Sequence, residues 1–74
     1  MSEQLQQRFG LTVRQARKRQ GWSQERLAEA ADLNRSYLGE IERGVVCPSL
    51  STGAKLAAAL ELKLSHLLRD CEEA

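Results

Sequence analysis

Residues 21–44 carry three breaks, with only enough chain between them for two short helices. Gly21-Trp22-Ser23 is the first break, Asp32-Leu33-Asn34 the second and Gly44 the third. Ser23 and Asn34 are residue types whose side-chain oxygens cap helix N-termini, and glycine favours the left-handed turn that ends a helix. Trp22 and Leu27 bracket the first cap, and Leu33 and Leu38 the second, at the spacing of a hydrophobic staple. The chain is thereby held to one helix over about 24–31 and another over about 35–43. A turn as short as Asp32–Asn34 forces two such helices to cross at a steep angle, as a helix-turn-helix does.

The flanking sequence supplies three more helices. Helix 1 is expected over about Glu3–Gln20, where Leu5, Phe9, Val13 and Ala16 form one apolar stripe and Gly21 provides the stop. Gly10 lies inside this helix as a candidate break. Residues 45–48, with the single proline Pro48, read as a loop. Ser49 then caps helix 4, about Leu50–Leu60, with Leu50, Ala54, Ala57 and Leu60 on its expected buried side. Helix 5 runs over about Leu64–Cys71, with Leu64, Leu67 and Leu68 on one side. No segment alternates apolar and polar residues for long, so strands find little support. The expected fold is all-α: a compact five-helix bundle forming a single domain over residues 1–74. A chain of 74 residues supports one core worth only a few kcal/mol. A second subunit is a natural source of further stability.

Composition narrows the function. Net charge is +1, yet Arg8–Lys55 holds nine basic residues against five acidic ones, and acids collect at the C-terminal end. That asymmetry fits a nucleic-acid face opposite a neutral or acidic one, and also an ordinary charged surface. Cys47 and Cys71 have no metal-ligand spacing and read as reduced thiols of a cytoplasmic protein. No apolar run approaches the ~20 residues of a membrane span, and the N-terminus lacks a signal-peptide pattern. His66 is the only histidine and has no nearby nucleophile or ligand partner, and Glu72 and Glu73 read as a solvated tail. The expectation is therefore no enzyme, no cofactor, no metal, no membrane and no small-molecule ligand.

At ~100° per residue, Arg35, Ser36, Gly39, Glu40 and Arg43 share one arc of about 140° on the helix over 35–43. Tyr37, Leu38, Ile41 and Glu42 fill the other side. The first set offers guanidinium, hydroxyl and carboxylate groups, which pair with guanine, with any base, and with cytosine respectively. Gly39 leaves the helix surface open to close approach. Periodicity alone fits equally a solvated face and a base-reading face.

Residues 21–44 resemble the core motif of the phage-repressor-like, or xenobiotic-response-element, helix-turn-helix family. The likeness rests on Ser23-Gln24-Glu25-x-Leu27-Ala28 and on Ile41-Glu42-Arg43-Gly44, and extends through Pro48-Ser49-Leu50 and Lys55-Leu56-Ala57. Within the family the chain most resembles controller proteins of restriction–modification systems. The resemblance implies a lambda-repressor-like domain whose third helix enters the DNA major groove. It places Gln24 at a backbone phosphate, where a helix N-terminus also favours an anion. It implies base-reading roles for Arg35, Ser36 and Glu40, a phosphate role for Arg43, and DNA-facing positions for Asn34 and Tyr37. The Tyr37 ring fits either the core or the interface, since a buried tyrosine keeps its hydroxyl wet or bonded. Arg17 and Glu42 match a buried or half-buried salt bridge, and the inward-facing Glu42 needs a partner. Two positions depart from the pattern. Val45 and Val46 stand where basic residues are common, so no phosphate grip carries over to that loop. Gly53 replaces a large apolar residue, which leaves either a smaller core or room for a neighbour's side chain.

One recognition helix reads only a few base pairs, so a sequence-specific regulator of this size needs two half-sites. A homodimer would set its two recognition helices ~34 Å apart. Leu60, Leu64, Leu68 and Cys71 form the expected dimer surface, with Leu67 mainly intramolecular. The alternative is a protein-interaction module, such as an antitoxin that also binds its own promoter. Antitoxins of that kind carry an extra wrapping segment, and almost nothing follows residue 71 here.

Overall fold

The side chains expected to start the middle helices are used as caps. The Ser23 hydroxyl accepts from Arg26 N–H at 3.1 Å. Asn34 Oδ1 accepts from Ser36 N–H at 2.8 Å and Tyr37 N–H at 3.3 Å. The Ser49 hydroxyl accepts from Thr52 N–H at 3.1 Å. A computed structural model of the chain describes residues 3–73, with side chains to residue 69. Five helices result: α1 Glu3–Arg19, α2 Gln24–Ala30, α3 Arg35–Arg43, α4 Leu50–Ala59 and α5 Leu64–Glu73. Among the described residues there is no strand, and no helix is long and apolar enough to cross a membrane.

The core gathers Phe9, Val13, Leu27, Leu38, Ile41, Leu56 and Leu67, at least one residue from every helix. α1 lies across α3 and α5, α2 packs on α3 and α4, and α4 pairs with α5. Gln20 at the end of α1 donates Nε2 to the Leu60 carbonyl at 2.9 Å, satisfying an acceptor that α4 leaves open at its C-terminus.

Gly10 does not break α1. The helix runs through it because a bare Cα is what lets α1 touch the C-terminal turn of α3. A Cβ there would stand 2.1 Å from the Ile41 carbonyl oxygen and 2.8 Å from that of Glu42. One turn earlier the same approach recurs, with Gln7 against Gly44, which ends α3 at φ 75°. Glycine is needed twice at this crossing, once for space and once for both space and conformation.

The buried side of α4 is turned from the expected one. Gly53, Leu56, Ala57 and Leu60 face inward, while Ala54 is exposed and Leu50 is 75% exposed. A first-turn side chain leans toward the helix N-terminus, which carries Leu50 off the end of the bundle. The space left by Gly53 is filled from within the chain. Leu64 Cδ1 lies 3.3 Å, and Phe9 Cζ 3.9 Å, from where a Gly53 Cβ would stand.

α2 and α4 end alike, on a non-glycine residue in the left-handed region: Asp32 at φ 55° and Glu61 at φ 59°. The following leucine closes each turn, Leu33 N–H to Ala28 O and Leu62 N–H to Ala57 O, both at 2.8 Å. A Cβ in this conformation costs about 1–2 kcal/mol. Glu61→Gly is therefore expected to raise stability by about 1 kcal/mol, and the melting temperature by about 4–8 °C. A thermal melt monitored by circular dichroism checks this.

Candidate nucleic-acid interface

Glu42 organises the site from below. Its side chain is 2% exposed, and that of Arg17 is 10% exposed. Arg17 Nε donates to Glu42 Oε2 at 2.8 Å and Nη2 to Oε1 at 3.1 Å, a two-pronged pair between α1 and α3. Arg17 Nη1 reaches the Trp22 carbonyl at 2.7 Å, pinning the α1–α2 turn. Gln24 Nε2 donates to Glu42 Oε1 at 2.9 Å, pinning the start of α2. One carboxylate thus ties three chain segments together. No buried side-chain nitrogen or oxygen among the described residues lacks a partner.

Above this network α2 and α3 form an open groove lined by Gln24, Arg35, Ser36, Gly39, Glu40 and Arg43. The groove brings together five of the seven residues assigned to DNA from sequence. Arg35, Ser36 and Arg43 are exposed, and Gln24 and Glu40 are half-buried. The other two lie apart. Asn34 is exposed and commits its side-chain oxygen to the α3 cap. Tyr37 is half-buried and packs against the core.

Two details differ from the expected reading face. Gly39 is buried because Arg43 folds back over it, with Nη1 3.2 Å from where a Cβ would stand. Arg14, not singled out from sequence, lines a second hollow with Arg17, Gln24, Glu42 and Arg43. Its signal was present: Arg14 lies one turn before Arg17 on the same helix face. Beside α2, the Arg26 guanidinium stacks 4.8 Å over the Trp22 ring.

The expected dimer surface is smaller than proposed. Leu60 is 2% exposed within a single chain and belongs to the core. It caps α4 instead of extending it and points inward with Leu56 and Ala57, so it has no surface left for a second copy. Leu64 and Leu68 are half-buried. The Cys71 side chain lies outside the described residues. Leu67 is buried in the core.

A helix-turn-helix family profile matches residues 13–67. Control protein C.BamHI of Bacillus amyloliquefaciens is 39% identical over 69 residues, covering 92% of this chain and 85% of that one. The HTH-type transcriptional regulator SutR of Escherichia coli (strain K12) is 36% identical over 66 residues, covering 89% of this chain. The chain spans 37% of SutR's length. The crystal structure of the restriction-modification controller protein C.AhdI from Aeromonas hydrophila superposes with a TM-score of 0.80 at 43% identity. That match covers 82% of this chain and 92% of C.AhdI. The chain belongs to the helix-turn-helix family, and control proteins are among the relatives that share most of its length.

Proposed function

We propose that the chain is a cytoplasmic, sequence-specific DNA-binding regulator of transcription. It acts as a homodimer on an operator of two half-sites, and the operon it controls is of the restriction–modification kind. The observation that carries this reading is the groove between α2 and α3. There guanidinium, hydroxyl, carboxamide and carboxylate groups are collected on one exposed surface with a buried ion pair beneath. That set suits the varied donor and acceptor edges of the major groove better than it suits phosphate alone. The likeness to C.BamHI and C.AhdI over most of their lengths supports the narrower assignment.

Arg35 is the base reader most exposed to test. Arg35→Ala is expected to weaken cognate binding by about 1–3 kcal/mol and to relax preference at one base pair. Fluorescence anisotropy on cognate and scrambled duplexes measures both quantities. Equal weakening on the two would remove Arg35 from base reading.

The dimer reading rests on α5. Leu64 and Leu68 keep part of their surface, and Leu62 beside them is 37% exposed. A two-fold axis would bury such a patch against its own copy. Leu64 also fills the space over Gly53, so Leu68→Glu is the cleaner variant. Sedimentation velocity is expected to show a wild-type dimer at tens of micromolar and a folded Leu68→Glu monomer with weakened operator binding. A wild-type monomer at that concentration would contradict the dimer.

A further inference from the structure

Gly10 does more than let α1 touch α3. Gly10, Arg14 and Arg17 follow one another at four and three residues along one side of α1. The close approach at Gly10 therefore carries both arginines to the C-terminal turn of α3. There Arg14, Arg17, Gln24, Glu42 and Arg43 line an open hollow beside the reading groove, and Gln24 and Arg43 belong to both. Arg17 and Glu42 cancel each other's charge at 2.8 Å. Arg14 and Arg43 are exposed, and among the described residues neither meets a carboxylate within ion-pair distance. Glu40 lines the groove but not this hollow. The hollow thus carries two positive charges without a counter-charge. Gln24 adds a neutral donor, since its Nε2 gives one N–H to Glu42 Oε1 at 2.9 Å and keeps the second.

The chain leaving α3 offers no such charge. Residues 45–48 are Val-Val-Cys-Pro. The next basic residue, Lys55, lines a hollow with Asp32 that shares no residue with the groove.

We infer that Arg14 is a phosphate anchor: with Arg43 and the free Nε2 N–H of Gln24 it seats one backbone phosphate of the DNA in this hollow. The oxygens of a phosphodiester only accept, and this rim offers them guanidinium and amide donors. α1 thereby supplies the sequence-independent grip that the loop after α3 lacks. The inference rests on the DNA-binding reading above and adds to it a backbone contact that fixes the register of α3 on the duplex.

Arg14→Gln removes the charge from an exposed side chain outside the core, so its thermal melt is expected to match wild type. Lys55→Gln removes the same charge away from the hollow and is the control. Cognate and scrambled duplexes are titrated by anisotropy over a range of salt concentrations. Arg14→Gln is expected to weaken binding to both duplexes alike, by about tenfold at about 0.1 M salt, and to reduce the salt slope by about 1. Arg14→Lys keeps the charge and is expected to restore the slope, while Lys55→Gln is expected to leave it at the wild-type value. A wild-type slope for Arg14→Gln, or slopes that fall equally for Arg14→Gln and Lys55→Gln, would overturn the inference. So would a loss confined to the cognate duplex, which marks a base contact. A wild-type chain that binds neither duplex would instead remove the DNA-binding proposal on which the inference stands.

Discussion

Glu42→Ala is expected to destabilise the chain by about 3–5 kcal/mol, the cost of breaking a buried ion pair from one side. Removing the carboxylate leaves the Arg17 guanidinium with the Trp22 carbonyl alone and strips Gln24 of its acceptor. A domain of this length has on the order of 4–11 kcal/mol in total at about 0.05–0.15 kcal/mol per residue. The variant therefore loses a large share of its stability, and its melting temperature is expected to fall by about 15 °C or more. The double variant Arg17→Met/Glu42→Leu is expected to recover most of the loss, because an apolar pair of similar volume carries no desolvation cost. Urea denaturation of the three proteins tests this. A loss below about 1 kcal/mol for Glu42→Ala would mean that the pair contributes no more than an exposed ion pair does.

Gly10→Ala is expected to be the next most damaging single change, at about 2–3 kcal/mol. In a free helix the same substitution would stabilise by about 1 kcal/mol, so the sign itself is informative. The added methyl meets backbone carbonyls of Ile41 and Glu42, which cannot rotate away as a side chain can. α1 must then lift from α3, and overpacking of that kind costs about 1–3 kcal/mol or more. Gly39→Ala is the matched control, since its methyl meets only the ends of side chains, Arg43 Nη1 at 3.2 Å and Gln24 Oε1 at 3.9 Å. Thermal melts that move in opposite directions for the two variants are the expected result. Equal shifts would show that the α1–α3 crossing adapts.

These two substitutions also mark where the sequence was readable. The caps at Ser23, Asn34 and Ser49 and the stop at Gly44 are local chemistry, set by side-chain oxygens and by a left-handed glycine within a few residues. They located four helix ends closely. Gly10 looks like a possible break in the sequence because its reason lies 31 positions away, in the carbonyl of Ile41. The inward face of α4 was misplaced because Leu50 sits in a first turn, where an apolar residue can overshoot the bundle. Leu60 fits a dimer surface in the sequence pattern although it closes the monomer's own core; the apolar pattern shows that a residue is buried but not against what. The groove residues Arg35, Ser36, Glu40 and Arg43 share a helix face, and that periodicity is local. The orientation of Gln24 is not, since it follows from a carboxylate 18 residues later.

The central claim is that the α2–α3 groove reads DNA sequence in pairs of half-sites. Selection of bound duplexes from a random-sequence library tests it most directly. Enrichment of one short motif in two inverted copies is the expected result, with centres about 10–10.5 base pairs apart or a multiple of that. Arg35→Ala is expected to lose the preference at one position of each copy. A pool that stays random after selection with the wild-type chain, or a motif that is unchanged by Arg35→Ala, would contradict it.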